Sequence, residues 1–319
     1  MEQAILGIDV AKRKLDVALI LSNKTLSKQF DNSPSGFKLL DTWLKSRHVI
    51  KVYACLEATG SDGDAAALFL HEAGHLVAVV NPFRIKGYAN SKFQRNKTDK
   101  ADARLIADFC LTQKPEQWFP PTPEVAELQA LTRRIEAVEE MLQMEKNRLD
   151  VSPAKIKPSI KRLIATFEKE IAGLEKSIKN HFDNNASLKE QAELLQTIPG
   201  IGEKTANLLL AEIEFSRYRS ARAVAAFAGV TPKRKSSGTS LNKTHLSKLG
   251  NGRIRKSLYF PAVVATGHNR IIKEFASRLK ENGKTKMQIV CAAMRKLLHI
   301  AFGVLKHKIP FDPNLAFSS

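Results

Sequence analysis

Four acidic residues stand where an α/β chain would bring them together: Asp9, Glu57, Asp99 and Asp102. Asp9 lies inside the apolar run GIDVAK, and Glu57 ends the apolar run VYACLE. A carboxylate in a buried strand is costly unless it is paired or binds a metal. Carboxylates are ligands that Mg²⁺ accepts, and two such ions about 4 Å apart can activate an attacking oxygen and stabilise a leaving one in phosphodiester chemistry.

Each acid has another explanation when it is taken alone. Asp9 can cap a turn or contact the basic turn from Lys12 to Lys14. Asp99 and Asp102 begin a helix after Thr98, where their i, i+3 spacing puts them on one face, but the helix dipole favours acids there in any case. The combination is more specific, and it predicts a site in which the four carboxylates hold Mg²⁺, with two ions expected.

The charge of the whole chain points to a polyanionic partner. There are 51 Lys and Arg against 32 Asp and Glu, a formal net charge of +19. Residues 215–273 contain basic residues but no Asp or Glu. A solvated basic face normally carries interspersed acids that limit self-repulsion, so this stretch predicts contact with nucleic acid.

Other features of the composition limit the class of protein to which this chain can belong. The three cysteines lack C-x-x-C spacing, no run of roughly 18 apolar residues occurs, and the first residues form a strand-like pattern rather than a signal sequence. We therefore expect a cytoplasmic, nucleoid-associated protein with no membrane partner.

The elements that must position the acids can be read from the apolar pattern. Residues 4–10 and 15–21 read as a hairpin, and further strands are expected at 25–30, 49–56 and 75–80, with helices near 37–47 and 62–73. This pattern predicts a mixed sheet flanked by helices. Residues 81–98, which include Lys97, are expected to form a basic loop before the helix that starts at Thr98. The prolines at 120–123 close a first domain, 1–123.

Two further domains are expected. Residues 124–186 show apolar residues at three- and four-residue spacing, which predicts an antiparallel helical hairpin or coiled coil. It would act as a spacer or in oligomerisation; alternatively, its two helices pack on their own domain. Residues 187–319 read as a mostly helical domain with a polar interruption at 231–252.

A helix-hairpin-helix signature begins this last domain. The sequence LQTIPGIGEKTANLLLAEI places Gly200 and Gly202 in a turn ahead of Lys204 and an apolar helix. Backbone N–H groups of such a turn, together with the helix N-terminus, can bind a phosphate without reading sequence. The alternative is a plain pair of packed helices.

Two sets of motifs resemble a known family. The four carboxylates, their spacing and the segment TDKADAR resemble the ribonuclease-H-like fold of RuvC-type resolvases and, more narrowly, the DEDD insertion-sequence transposases, relatives of the pilin-gene invertase. The second set matches that family's C-terminal block, and its members here are Gly229, Pro232, Ser237-Gly238, Lys248, Gly250-Asn251, Arg253, Arg255 and Leu258-Tyr259. The resemblance covers about residues 1–115 and 190–305.

The resemblance implies a mechanism and partners. A serine of the Ser-Gly pair is the nucleophile in that family and forms a phosphoserine intermediate; Ser237 matches it, with adjacent Ser236 as a one-residue ambiguity. From the residues alone, Ser237 would be placed in a phosphate-binding loop. The family also implies a guide (bridge) RNA, double-stranded donor and target DNA, and a homo-oligomer, dimer or tetramer. The residues expected to contact nucleic acid are Lys97, Gly200, Gly202, Lys204, Lys233, Arg234, Lys235, Lys248, Arg253, Arg255 and Lys256.

Three hypotheses about function follow from the sequence. The first is a site-specific DNA recombinase of an insertion sequence that uses Mg²⁺ and Ser237. The second is a RuvC-like structure-specific endonuclease in which metal-activated water attacks and Ser237 only binds phosphate. The third is a non-catalytic nucleic-acid-binding protein in which the acids cap helices.

Overall fold

The computed structural model describes residues 3–22, 24–58, 60–93, 98–237 and 241–314, and of residues 61, 234–237 and 241–243 it describes the backbone. The chain divides into two compact units, Met1–Pro120 and Pro121–Ser319. Each unit is described below by itself.

The first unit is built on a five-stranded mixed sheet. Its strands are β1 (Ala4–Val10), β2 (Lys14–Leu21), β3 (Lys24–Asp31), β4 (Val52–Glu57) and β5 (Leu76–Val80), in the order β3-β2-β1-β4-β5. The first three strands pair antiparallel because short turns join them, whereas β4 and β5 run parallel to β1 and are reached through helices.

Helices cover both faces of this sheet, as parallel strands require. Helices α1 (Pro34–Lys45) and α2 (Asp64–Glu72) bury apolar residues against one face. Helices α3 (Pro82–Ser91) and α4 (Asp99–Gln113) do so on the other. The predicted α/β class with a mixed sheet is therefore confirmed for this unit. The predicted loop at 81–98 is wrong in its first half, because the Asn81 side chain caps a helix with Pro82 in its first turn.

The second unit begins with two long helices, α5 (Pro123–Val151) and α6 (Lys157–Asn184). They pack as an antiparallel pair, with an ion pair between Lys146 and Glu168 (3.0 Å) and a contact of 3.3 Å between His181 Nδ1 and Glu127 Oε2. Helix α5 also packs on the rest of the unit, since Leu128 is fully buried in its core. The finer division at residue 186 stays a prediction.

The remainder of this unit is helical apart from one hairpin. Its elements are α7 (Ala186–Gln196), α8 (Glu203–Glu212), α9 (Ala221–Phe227), β6 (Pro232–Ser237), β7 (Leu241–Leu246), α10 (Gly252–Ser257), α11 (Tyr259–His268), α12 (Arg270–Glu281) and α13 (Lys286–His307). Among the described residues, α13 alone is long and apolar enough to cross a membrane, with a mean hydropathy of 1.4. Half of that apolar window is buried, and side chains such as Leu297 and Leu298 lie in the core of the unit, as in the core helix of a globular domain.

Candidate functional site

The register of the paired strands places the acids of the first unit on one face of the sheet. Asp9 pairs with Asp16 across β1 and β2, so the two side chains share one face of the sheet. Ile8 pairs with Leu56 in the neighbouring parallel strand, so Asp9 and Glu57 are the next residues of adjacent strands, at their carboxyl ends. Because side chains alternate along a strand, both acids are on the face that α4 covers.

Helix α4 approaches this face very closely at Gly7. A Cβ atom there would lie 2.3 Å from the backbone oxygen of Ala103 and 2.3 Å from the backbone nitrogen of Ala107. The missing side chain therefore lets α4 lie directly on β1, two residues before Asp9. The helix begins at Asp99, where the Thr98 side chain accepts the N–H of Ala101 at 3.2 Å. This geometry holds the first turn of α4 beside Asp9.

The electrostatics of Asp9 confirm that the acids are close together. Asp9 is half-buried, and burial raises the pKa of its carboxyl group above the ordinary value. The negative charges of Asp102, Asp99 and Asp16 raise it further, and among the described residues Lys14 lowers it. Three predicted site residues are thus brought together by the fold, and the fourth, Glu57, lies at the matching end of the adjacent strand.

Lys14 and Asp16 belong to this cluster, although the sequence reasoning did not select them. The Lys14 ammonium lies 2.5 Å from Asp99 Oδ2 and 3.1 Å from Asp16 Oδ2. These contacts raise the pKa of Lys14, that with Asp99 most. The sequence contained a signal for both residues. A hairpin whose turn is centred between residues 12 and 13 places Asp16 opposite Asp9, and it places Lys14 at the start of the second strand.

The donor set of this cluster fits a divalent metal ion. It consists of carboxylate oxygens, which Mg²⁺ prefers. Burial, and then repulsion from the neighbouring carboxylates, raise the pKa of Asp9, and a bound cation would offset both effects. Within the described ranges, no three acidic, His or Cys side chains stand close enough to share one ion as they are placed. Part of the reason is that Asp99 is turned to the ammonium of Lys14, which supplies a positive charge itself.

In the second unit, the predicted helix-hairpin-helix turn joins α7 to α8. Gly200 has a φ of +106°, and a Cβ there would lie 2.8 Å from the backbone oxygen of Pro261, so this glycine packs against α11. Gly202 faces open space and precedes α8 without a side-chain cap. Lys204 is ion-paired with Glu139 at 2.9 Å and Glu175 at 3.0 Å. Only the Gly202 end of the turn therefore offers an open backbone to a phosphate.

The glycines of the second motif build the base of the β6–β7 hairpin. A Cβ on Gly250 would lie 2.3 Å from the backbone oxygen of Phe227 and 2.4 Å from the backbone nitrogen of Gly229. Asn251 caps α10 by accepting the N–H groups of Arg253 and Ile254. The two loops that carry the hairpin thus meet backbone to backbone, which only glycine permits.

A buried ion-pair network lies beside this base. Arg253 donates from Nε to Glu136 at 3.0 Å, and its Nη1 lies 3.0 Å from Glu212 Oε1. The second contact is an ion pair without hydrogen-bond geometry, while Asn251 donates to Glu212 Oε2 at 2.6 Å. Nearby, Lys256 pairs with Glu140 at 2.9 Å. The assignment of Arg253 and Lys256 to nucleic acid stays a prediction, and both are held by acids of α5.

The candidate serines lie at the distal end of the hairpin. Ser236 pairs with Asn242, and Ser237 pairs with Leu241 as the last residue of β6. The side chains of Arg234, Lys235 and both serines, and the whole of Lys97, lie outside the described residues. Of the other predicted basic residues, Lys233 is exposed, and Arg255 donates to the Lys248 carbonyl at 3.4 Å.

Comparisons with known proteins show which family of proteins this chain belongs to. Two family models match, one described as a transposase at residues 6–152 and one described as the transposase family IS116/IS110/IS902 at residues 192–277. Both matches define the chain as a transposase. The chain belongs to the IS116/IS110/IS902 family of transposases, the family that the sequence motifs resemble.

Individual relatives agree with this membership. The pilin gene-inverting proteins of Moraxella bovis and Moraxella lacunata are each 33% identical over 320 residues, covering 99% of this chain and 99% of the relative. The transposase for insertion sequence element IS1328 of Yersinia enterocolitica is 27% identical over 78% of this chain and 83% of the relative. Thermus thermophilus RuvC, solved with a Holliday junction substrate, is matched over 37% of this chain and 100% of RuvC, with 12% identity and a TM-score of 0.27.

Proposed function

We propose that this chain is the site-specific DNA recombinase of an insertion sequence, which cuts and rejoins DNA through Ser237. The observation that carries the proposal is the acidic cluster on the α4 face of the sheet, where Asp9 and Glu57 end adjacent parallel strands. Burial, and then the negative charges of three further aspartates, raise the pKa of Asp9 there. Such a cluster is suited to a divalent cation and to phosphodiester chemistry. Membership in a transposase family supports the same reading, as do relatives named for inverting a pilin gene.

The chemical step is a transesterification. The Ser237 hydroxyl attacks a DNA phosphorus, a bond from phosphorus to oxygen joins DNA to the protein, the bond to the leaving sugar oxygen breaks, and that oxygen takes up a proton. Attack by a sugar hydroxyl of another strand reverses these changes and frees the serine, so the step needs no outside energy source. Mg²⁺ held by Asp9, Glu57, Asp99 and Asp102, expected as two ions, supplies Lewis acidity for the hydroxyl and the phosphate.

The proposed active site needs both units of the chain. The carboxylates belong to the first unit and Ser237 to the second. We propose that they meet on the DNA, within one subunit or between subunits of a homo-oligomer. Specificity would come from a guide RNA that pairs with donor and target DNA, so that the protein needs to recognise only backbone and shape.

A covalent adduct tests the nucleophile. Labelled DNA carrying the element's ends is incubated with Mg²⁺ and with protein purified from cells that carry the whole element, so that a bound guide RNA is retained. Protein-linked label is then measured on a denaturing gel. The adduct is expected with wild type and Ser236→Ala, and should be absent with Ser237→Ala and Asp9→Asn. Strand cleavage that persists in Ser237→Ala without an adduct would support the endonuclease hypothesis instead. Cleavage that persists in Asp9→Asn would remove the metal site from the mechanism.

The RNA partner has a separate test. Protein purified from cells that carry the whole element should retain one RNA of defined sequence, identified by sequencing. Recovery of only heterogeneous cellular RNA would reject the guide and leave the nucleophile assignment intact.

A further inference from the structure

A group of basic residues that no motif selected lies where α9 packs against α13. Arg295, Lys296 and His299 belong to α13, with Arg295 and His299 one turn apart, and Arg222 belongs to α9. Arg222 is exposed, and the other three are half-buried. We call these four residues the α13 basic surface.

The four residues are close enough to act on one another. Burial lowers the pKa of His299 to about 4, and the positive charges of Arg295, Lys296 and Arg222 contribute to that shift. The charges that lower the pKa of this imidazole, among the described residues, are those of Arg295, Lys296 and Arg222.

Acidic side chains do not balance this surface. Within the described part of the second unit, no Asp or Glu forms an ion pair with Arg222, Arg295 or Lys296. The positive charge here is therefore not ion-paired within the described part of the unit that carries it.

The basic residues that the motifs selected differ in this respect. Lys204, Arg253 and Lys256 are paired with Glu139, Glu136 and Glu140 of α5. A phosphate would have to displace a glutamate at each of them. At the α13 basic surface no described glutamate or aspartate would have to be displaced, so phosphate binding there keeps more of its electrostatic gain.

The surface continues toward the β6–β7 hairpin. Lys248 follows β7, and its charge acts on Cys291, which lies on α13 one turn before Arg295. We propose that Arg222, Arg295, Lys296 and His299 bind the phosphodiester backbone of a nucleic acid that crosses α13 toward this hairpin. The direction of the strand rests on the proposed function, whereas the binding of phosphate does not.

Salt-dependent binding of the full-length protein tests this proposal. The Arg295→Gln/Lys296→Gln variant is compared with Lys189→Gln/Arg270→Gln, which removes the same two charges from exposed, acid-paired positions of the same unit. Affinity for a 30-base-pair duplex DNA and for an RNA hairpin is measured by fluorescence anisotropy over a range of salt concentrations. Removing one cation that neutralises a phosphate should reduce the slope of log K against log salt by about 1 on duplex DNA.

We expect the slope to fall by about 2 for the first variant and to be unchanged for the control. A fall on DNA alone, on RNA alone or on both identifies which backbone binds. Equal slopes in wild type and the first variant, or equal reductions in both variants, would overturn the proposal. Arg222→Gln, at an exposed position, gives a second test that does not disturb packing, with an expected fall of about 1. Binding is measured without cleavage, so failure to form the Ser237 adduct would not affect this result.

Discussion

Lys14 joins the first hairpin to helix α4, because its Nζ lies 2.5 Å from Oδ2 of Asp99, 85 residues further along the chain. The same ammonium lies 3.1 Å from Asp16, the cross-strand partner of Asp9. A lysine thus holds together acids of two elements at the place where the proposed chemistry needs a cation. Because Lys14 and a metal ion would compete for the same carboxylates, Mg²⁺ binding can be tested through protein stability, without a measurement of catalysis.

Lys14→Met should make the first unit respond more strongly to Mg²⁺. Removing the ammonium leaves the aspartates repelling one another, so the metal-free variant should melt below wild type. It also removes a competitor for Asp99, so Mg²⁺ should bind more tightly. The unfolding temperature is measured in EDTA and then at increasing Mg²⁺ concentrations. A ligand present at 100 times its Kd adds about 2.7 kcal/mol to the free energy of unfolding.

Lys45→Met is the matched control, since Lys45 forms a similar pair with Asp41 (2.6 Å) on α1. It should leave the Mg²⁺ response as in wild type. If Lys14→Met and wild type gain equally from Mg²⁺, Lys14 does not compete with the ion.

Asp9→Asn should stabilise the metal-free protein at neutral and alkaline pH. The folded-state pKa of Asp9 is raised above its ordinary value of 3.8, by burial and then by Asp102, Asp99 and Asp16. Such a group favours the folded state below its unfolded pKa, and this contribution is lost as pH rises through the folded pKa. Asparagine cannot ionise and avoids the loss.

Thermal unfolding in EDTA, measured over a range of pH, shows whether Asp9→Asn stabilises or destabilises the metal-free protein. The advantage of Asp9→Asn should be largest above the folded pKa and should shrink toward pH 3.8, the ordinary pKa of the carboxyl group, while its stabilisation by Mg²⁺ should disappear. Asp31→Asn, at an exposed position of β3, serves as the control. A variant less stable than wild type at high pH would show that the ionised carboxylate is well satisfied without metal.

Gly7→Ala should separate α4 from the sheet. The added Cβ would meet the backbone at Ala103 and Ala107 at 2.3 Å, and overpacking of this kind costs about 1–3 kcal/mol of unfolding free energy. The first turn of α4 should also shift relative to Asp9, so the Mg²⁺-dependent rise in unfolding temperature should fall. Urea unfolding with and without Mg²⁺ measures both effects.

Gly87→Ala is the control that tests whether the destabilisation by Gly7→Ala comes from the contact of the added Cβ with α4. Gly87 lies in α3 with open space around it, so alanine should be neutral or stabilise by up to about 1 kcal/mol. Similar destabilisation of the two variants would mean that the approach of α4 at Gly7 is not the cause.

Much of the first unit could be read from the sequence. The hairpin and the apolar runs specify the strands, and the positions of Asp9 and Glu57 near the carboxyl ends of adjacent strands follow from them. Helix α3 was missed because its basic residues resembled a loop, although Asn81-Pro82 is a helix start signal.

The pairing of basic residues in the second unit could not be read in the same way. Lys256 and Glu140 are 116 residues apart, and the long helix α5 presents many glutamates of similar spacing. Which lysine meets which glutamate depends on how α5 packs against α8 and α10, and a charge pattern alone does not contain that packing. An acid-free stretch of sequence is therefore not an acid-free surface.

Arg253→Met should destabilise the second unit. Its guanidinium contacts Glu136 and Glu212, and the Glu212 side chain is only 7% exposed. Removing one partner of a fully buried pair costs roughly 3–5 kcal/mol of unfolding free energy. The loss here should be smaller, because Glu212 keeps Asn251 and Arg133 as neighbours and the Arg253 side chain is partly exposed. Urea unfolding measures this loss, and Arg253→Met/Glu212→Gln should recover part of it because the buried charge is then gone as well. Arg253→Met with normal stability and a reduced salt slope on DNA would instead make Arg253 a phosphate ligand, as its motif implies.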